Sequence, residues 1–198
     1  MQTDLVNLLA LNLLFSVRIA PLVVVVATAI RTAMLLTGKK RAIVSWTRNS
    51  YLSFLTVLFA PGMVVNTAVR YAVSKLFRID LDGIGTGSTY AELNLFLKVD
   101  RPPRVAVLIT ALYLSTIASV FIGFALMVIP MVLLLGTPFI LLCWYISIAV
   151  LFNSSLRGGD AALLGAALKG SPRSGALELV AVMTILAVFY IQLGGVVL

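Results

Sequence analysis

The stretch PGMVVNTAVRYAVSKLF, Pro61 to Phe77, places Asn66, Thr67 and Arg70 in the middle of an otherwise apolar run. Asn66 and Arg70 are four residues apart, so on a helix an amide and a guanidinium share one face. The amide and the hydroxyl can donate and accept hydrogen bonds, whereas the guanidinium only donates and stays charged. The chemistry open to such a trio is hydrogen bonding and charge pairing, and Arg70 calls for a carboxylate. Asp160 is the foremost candidate, ahead of Asp80, Asp82 and Glu92.

Other chemistries are closed. The chain has no histidine, which removes HExxH zinc sites, Ser-His-Asp triads, Cys-His pairs and histidine-ligated haem. Its one cysteine, Cys143, lies in an apolar run and has no partner for an intrachain disulfide. GIGTGS, Gly83 to Ser88, has neither the G-x-G-x-x-G of a dinucleotide fingerprint nor the G-K-[ST] of a phosphate loop, and reads as a glycine-rich turn. Ser154, Ser155 and Asp160 are only loosely positioned for a membrane hydrolase and have no identifiable base. No cofactor and no metal site is expected.

The elements that carry these residues belong to a membrane protein. Of 198 residues, 61% are hydrophobic and 11% charged, and the mean hydropathy is +1.11. An ordinary soluble domain is about 45–50% apolar and about 25% charged. At roughly 20 residues per crossing, this length suits one all-α polytopic membrane domain of about five to six transmembrane or re-entrant helices. The net charge of +8 is read as loop Lys and Arg that set orientation and meet anionic headgroups. No basic run is interleaved with exposed aromatics, so nucleic acid is not an expected partner.

Along the single domain, 1–198, the pattern predicts a kinked N-terminal helix or helix pair over 5–37, broken near Pro21. No signal peptide is read in MQTDLVNLLALNLLF. A basic loop with Lys39, Lys40, Arg41, Trp46 and Arg48 looks cytoplasmic. Then come a helix with a polar face over 51–77, a small surface β-hairpin over 79–101, and helices over 105–128 and 131–152. A loop with a short helix (Asp160 to Leu168) over 153–175 and a last helix over 176–197 complete the chain. Arg18 and Arg31 are expected at the interface, Arg31 by snorkelling. If 51–77 simply spans, two basic loops fall on opposite faces; a short or re-entrant helix, broken at Pro61-Gly62, would put them on one side. Mid-membrane, an unpaired Arg70 costs roughly 2.5–3.5 kcal/mol on insertion scales. It stands about 13 Å along a helix that starts at Pro61. In an ordinary packed helix, Asn66, Thr67 and Ser74 would act as polar glue, with Ala68 and Ala72 allowing close approach.

FAPGMVVNTAVRYAVSKLFRIDL resembles the active-site helix of the prokaryotic site-2-protease-like (M50-type) intramembrane metalloproteases, with Asn66-Thr67-Ala68-Val69-Arg70 at the HExxH position. RIDLDGIGTGSTYAELNLFL resembles the strand region that follows that helix. CWYISIAVLFNSSLRGGDAALLGAALKG resembles the segment bringing the third ligand, with Asp160 at the aspartate. The resemblance covers roughly Tyr51 to Lys169. It implies a degenerate relative: Asn66 and Arg70 replace the two histidines and Thr67 the catalytic glutamate, so metal hydrolysis is not available. Arg70 would then supply Asp160 with the positive charge a metal gives in the enzymes.

The expectation that follows is a non-catalytic, pseudoprotease-like integral protein of a prokaryotic cytoplasmic membrane. It would act as a structural or regulatory subunit, with the lipid bilayer, other membrane subunits or a client transmembrane helix as partners, and a homo-oligomer as one form. The alternative is a small oligomeric transporter or channel, favoured by the breaks near Pro61, Pro130 and Pro138.

Overall fold

A computed structural model describes residues 2–42, 54, 57–89, 92–99, 102–156 and 158–195. Among the described residues it contains helices α1 (Gln2–Ala42), α2 (Ala60–Leu76), α3 (Val105–Val132), α4 (Thr137–Asn153), α5 (Gly158–Gly170) and α6 (Pro172–Gly195). Strands β1 (Leu81–Thr89) and β2 (Glu92–Val99) lie between α2 and α3. Three of the helices are long and apolar enough to cross a membrane: α1 over Leu5–Ala33, α3, and α6 over Pro172–Leu193; α4 is apolar but shorter. The protein is thus mostly helical and compatible with a membrane.

α3 is the axis of the bundle. α4 returns antiparallel to it, with Trp144 Nε1 donating to Met127 O (3.2 Å) and Ser147 Oγ to Gly123 O (2.6 Å). α1 also runs against α3. Phe15 meets the ring of Phe124 edge-on at 5.0 Å, Ala20 packs with Ile117 and Val120, and Arg31 reaches Ser155 beyond the end of α4. α6 runs with α3: the Glu178 carboxylate accepts from Ala106 N at the first turn of α3 (3.1 Å), and further along Tyr190 meets Tyr113. A second apolar cluster joins Val105 and Leu108 of α3 to Ala167 of α5.

α1 is one helix where the sequence pattern predicts a kinked helix or a pair over 5–37, and it continues through Pro21 to Ala42. Proline removes the bond that would reach the carbonyl four residues back, here Val17 O. That carbonyl instead accepts the hydroxyl of Tyr190 (2.7 Å), so a neighbouring helix restores what Pro21 takes away. The other boundaries shift similarly. α2 covers Ala60–Leu76 of the expected 51–77, after a turn at Phe59, and Phe54, Val57 and Leu58 ahead of it are also helical. α3 continues beyond Val128 through Pro130 to Val132. The last helix begins at Pro172, and the short one extends over Gly158–Gly170.

α3 ends in a paired cap, with Leu134 N bonding Met131 O and Leu135 N bonding Pro130 O. The cap puts Leu134 at φ +51°, the left-handed conformation more usual for glycine. α2 ends the same way, with Arg78 at φ +53°. β1 and β2 pair antiparallel from Thr89 opposite Glu92 to Leu81 opposite Val99. The register slips between Leu81 and Gly83, where a φ of +147° suits glycine. The glycine-rich turn expected over Gly83 to Ser88 is strand instead, paired from Gly83 opposite Lys98 to Ser88 opposite Leu93. Residues 90 and 91, like Trp46 and Arg48 of the basic loop, lie outside the described residues.

Candidate functional site

α2 is short and only partly apolar, yet it is wedged between α3 and α4. The close approach happens at Gly62, which is buried. A Cβ there would overlap the carbonyl group of Ala149, so no residue but glycine lets the two backbones meet. Ala68 and Ala72, the expected contact points, are exposed. From Gly62 the helix runs parallel to α4, and each turn meets the next turn of its neighbour. Tyr145 OH donates to Leu58 O, and Phe59 stacks on Phe152 at 4.6 Å.

One turn beyond Gly62, Asn66 is 1% exposed. Its Nδ2 donates to Asn153 O and its Oδ1 accepts from Ser119 Oγ (2.9 Å), so one amide ties α2 to both α3 and α4. Asn153 answers with its own amide, donating to Phe59 O (3.0 Å) and Ala149 O (2.9 Å). Thr67 is buried beside it, and its Oγ1 has no hydrogen-bond partner among the described residues.

One turn further, Arg70 Nη1 lies 2.7 Å from Asp160 Oδ1 and 2.9 Å from Oδ2. The two side chains are 12% and 15% exposed. Arg70 Nη2 also reaches Ser155 O (3.5 Å). Of the carboxylates considered from sequence, Asp160 is the one at Arg70; Asp80 and Asp82 are exposed, and the side chain of Glu92 lies outside the described residues. Of the four residues singled out from sequence, Asn66, Thr67 and Arg70 occupy two successive turns of α2, and Asp160 is brought to them from the first turn of α5.

What brings Asp160 there is a break between two helices. α4 ends at Asn153, α5 starts at Gly158, and Ser154 and Ser155 between them are almost fully buried. α5 then continues towards the start of α3, against Val105 and Leu108. α4 and α5 act together as one discontinuous helix lying opposite α3, and its break sits at the level of Ser119.

Sequence reasoning missed Arg31. It is 8% exposed rather than snorkelling, and donates to Ser155 Oγ (3.0 Å). The neighbouring Leu156 N bonds Thr28 Oγ1 (3.1 Å), so α1 holds the break from the other side. Arg18, expected to mark the interface, donates to Leu193 O at the end of α6 (2.6 Å). Ser119, Asn153 and Gly62 were also missed as site residues. The one visible signal was the run Asn153-Ser154-Ser155 ending a long apolar stretch.

This arrangement is suited to clamping. Thr67 Oγ1 apart, the polar side chains of Asn66, Thr67 and Arg70 find partners across α3, α4 and α5. Arg70 Nη1 meets both oxygens of Asp160 while Nη2 faces the Ser155 carbonyl. A guanidinium has no lone pair to give a metal and an amide is a poor ligand. Among the described residues, no three of His, Cys, Asp or Glu come together. No family model matches the chain, and no curated protein or solved structure matches it.

Proposed function

We propose that the chain is a non-catalytic integral membrane protein, a degenerate relative of the site-2-protease-like metalloproteases, serving as a structural or regulatory subunit of a membrane assembly. The observation that carries this reading is the Arg70–Asp160 pair. At the positions where the resemblance puts a metal ligand and its aspartate partner, a guanidinium now meets the carboxylate at 2.7 Å. The charge that a metal would bring is supplied by a side chain that cannot activate water. Asn66, in place of the other histidine, is spent on bonds to Ser119 and Asn153.

Two further features support partnership. The most apolar window of α6 has no buried residues within the chain, and exposed Leu177, Val180, Ile185 and Ile191 leave it open to lipid or to another helix. The strands of β1 and β2 suit a small surface hairpin beside the basic end of the bundle. The whole would sit in a prokaryotic cytoplasmic membrane.

The break between α4 and α5 favours a second reading, a small oligomeric transporter or channel. Discontinuous helices commonly line substrate sites, and the buried hydroxyls of Thr67, Ser154 and Ser155 adjoin this one. A gentle tagged purification from native membranes separates the two. A subunit brings a constant set of partners in fixed stoichiometry, counted by mass spectrometry. A lone, monodisperse oligomer that moves solute in liposomes would overturn the subunit reading.

A further inference from the structure

The helix directions sort the charges. α1, α2 and α4 run one way and α3 and α6 the other, so the C-terminal turns of α1 and α2 share an end of the bundle with the first turns of α3 and α6. At that end Lys75, Arg78, Arg104, Lys169 and Arg173 are all exposed, and the last turns of α1 carry Lys39, Lys40 and Arg41. Among the described residues, the exposed acidic ones there are Asp80 and Asp82.

The opposite end carries the first turns of α1 and the corner between α3 and α4; the last turn of α6 points towards it, with Arg18 held on Leu193 O. No Lys or Arg occurs in residues 1–17, 128–156 or 174–198. The corner is apolar apart from Thr137: Met131, Leu133, Leu134 and Phe139 are exposed, Leu134 at 89%. Its backbone amides at Leu133, Leu134, Leu135, Phe139 and Ile140 all bond within the corner. A turn with so few free donors and mostly apolar side chains can rest at the edge of hydrocarbon.

This also removes the conflict left by the sequence. The two basic loops need not lie on opposite faces, because α1 and α2 both point their C-termini the same way. Resting on the membrane reading above, we propose that this basic end is an interaction surface for anionic lipid headgroups of the cytoplasmic leaflet. It fixes one orientation, with the start of α1, the α3–α4 corner and the end of α6 on the opposite side. Lys and Arg near the membrane surface are attracted to anionic lipid and retained on the cytoplasmic side.

The test uses the full chain in a Cys143→Ser background, with one reporter thiol at a time. The basic-end reporter is Gly170→Cys, at an exposed site where an added Cβ meets nothing within 4 Å. The opposite-end reporter is Gln2→Cys. Carbonate extraction first establishes that each variant is integral; release into the soluble fraction would defeat the membrane reading itself. A membrane-impermeant maleimide should then label the basic-end thiol only in inside-out vesicles and the opposite-end thiol only in right-side-out vesicles, while a permeant maleimide labels both. Labelling of the basic-end thiol from the outer face, or of either thiol from both faces, would overturn the orientation. Replacing Lys75, Arg78, Lys169 and Arg173 with Gln should raise outer labelling of the basic-end thiol at least tenfold; unchanged labelling would show that these charges do not set it. Finally, the purified protein is reconstituted into vesicles whose phosphatidylglycerol is confined to the inner leaflet, and its basic end should face inward in most copies. The same inward preference in purely zwitterionic vesicles would contradict the headgroup assignment.

Discussion

α2 and α6 make an instructive pair. α6 is long, apolar and easily recognised, yet its most apolar window has no buried residues. α2 has 17 residues, contains an amide, a hydroxyl and a guanidinium, and buries Gly62, Asn66 and Thr67 between two other helices. Hydropathy measures compatibility with lipid, so it finds a helix whose apolar surface the rest of the chain leaves uncovered. The helix that organises the fold is the one whose polar groups have found partners within the protein.

Substitutions should separate the two helices, and the largest effect is expected at Gly62. Gly62→Val drives a side chain into the Ala149 carbonyl, so the loss should reach or pass the upper end of the ~1–3 kcal/mol typical of overpacking. Unfolding of the purified protein in mixed detergent micelles would measure it, and a loss below that range would show that α2 and α4 can part at little cost. Arg70→Met comes next. Removing one partner of a buried pair commonly costs ~3–5 kcal/mol, and with both groups slightly accessible the lower end is expected, in the same assay.

Asn66→Leu should cost ~1–3 kcal/mol, since it strands Ser119 Oγ and Asn153 O. Tyr190→Phe tests a polar anchor of α6 on α1. It frees Val17 O, already bereft of its helical bond by Pro21, and should lower stability by about 1 kcal/mol. The smallest effect belongs to the exposed face of α6, where Ile185→Ala should change stability by no more than ~0.5 kcal/mol. If that variant instead loses its co-purifying partners while staying folded, the face is an interface, and the contrast with α2 becomes one between internal and external packing.

Much of this was legible in the sequence. The long runs around α1, α3 and α6 were found because apolar length is a local property. The pairing of Arg70 with Asp160, 90 residues apart, was reachable because a charge in an apolar run has few possible partners. The continuity of α1 was not legible: Pro21 signals a break, and its remedy is a hydroxyl from Tyr190 at the far end of the chain. Nor was the burial of Arg31, since a guanidinium near the end of an apolar run looks the same whether it snorkels or meets Ser155. Gly62 was read as part of a Pro-Gly break, because close approach depends on a neighbouring backbone that sequence does not locate.

The central claim is that Arg70 replaces a metal by pairing with Asp160, and a double-mutant cycle tests it most directly. Arg70→Met, Asp160→Asn and the double variant would be unfolded under the same conditions. The double variant should be less destabilised than the sum of the singles by ~1–3 kcal/mol, because neutralising Asp160 removes the need for its cation. Losses that add to within ~0.3–0.5 kcal/mol would mean that the two groups do not depend on each other, and the replacement account would fail.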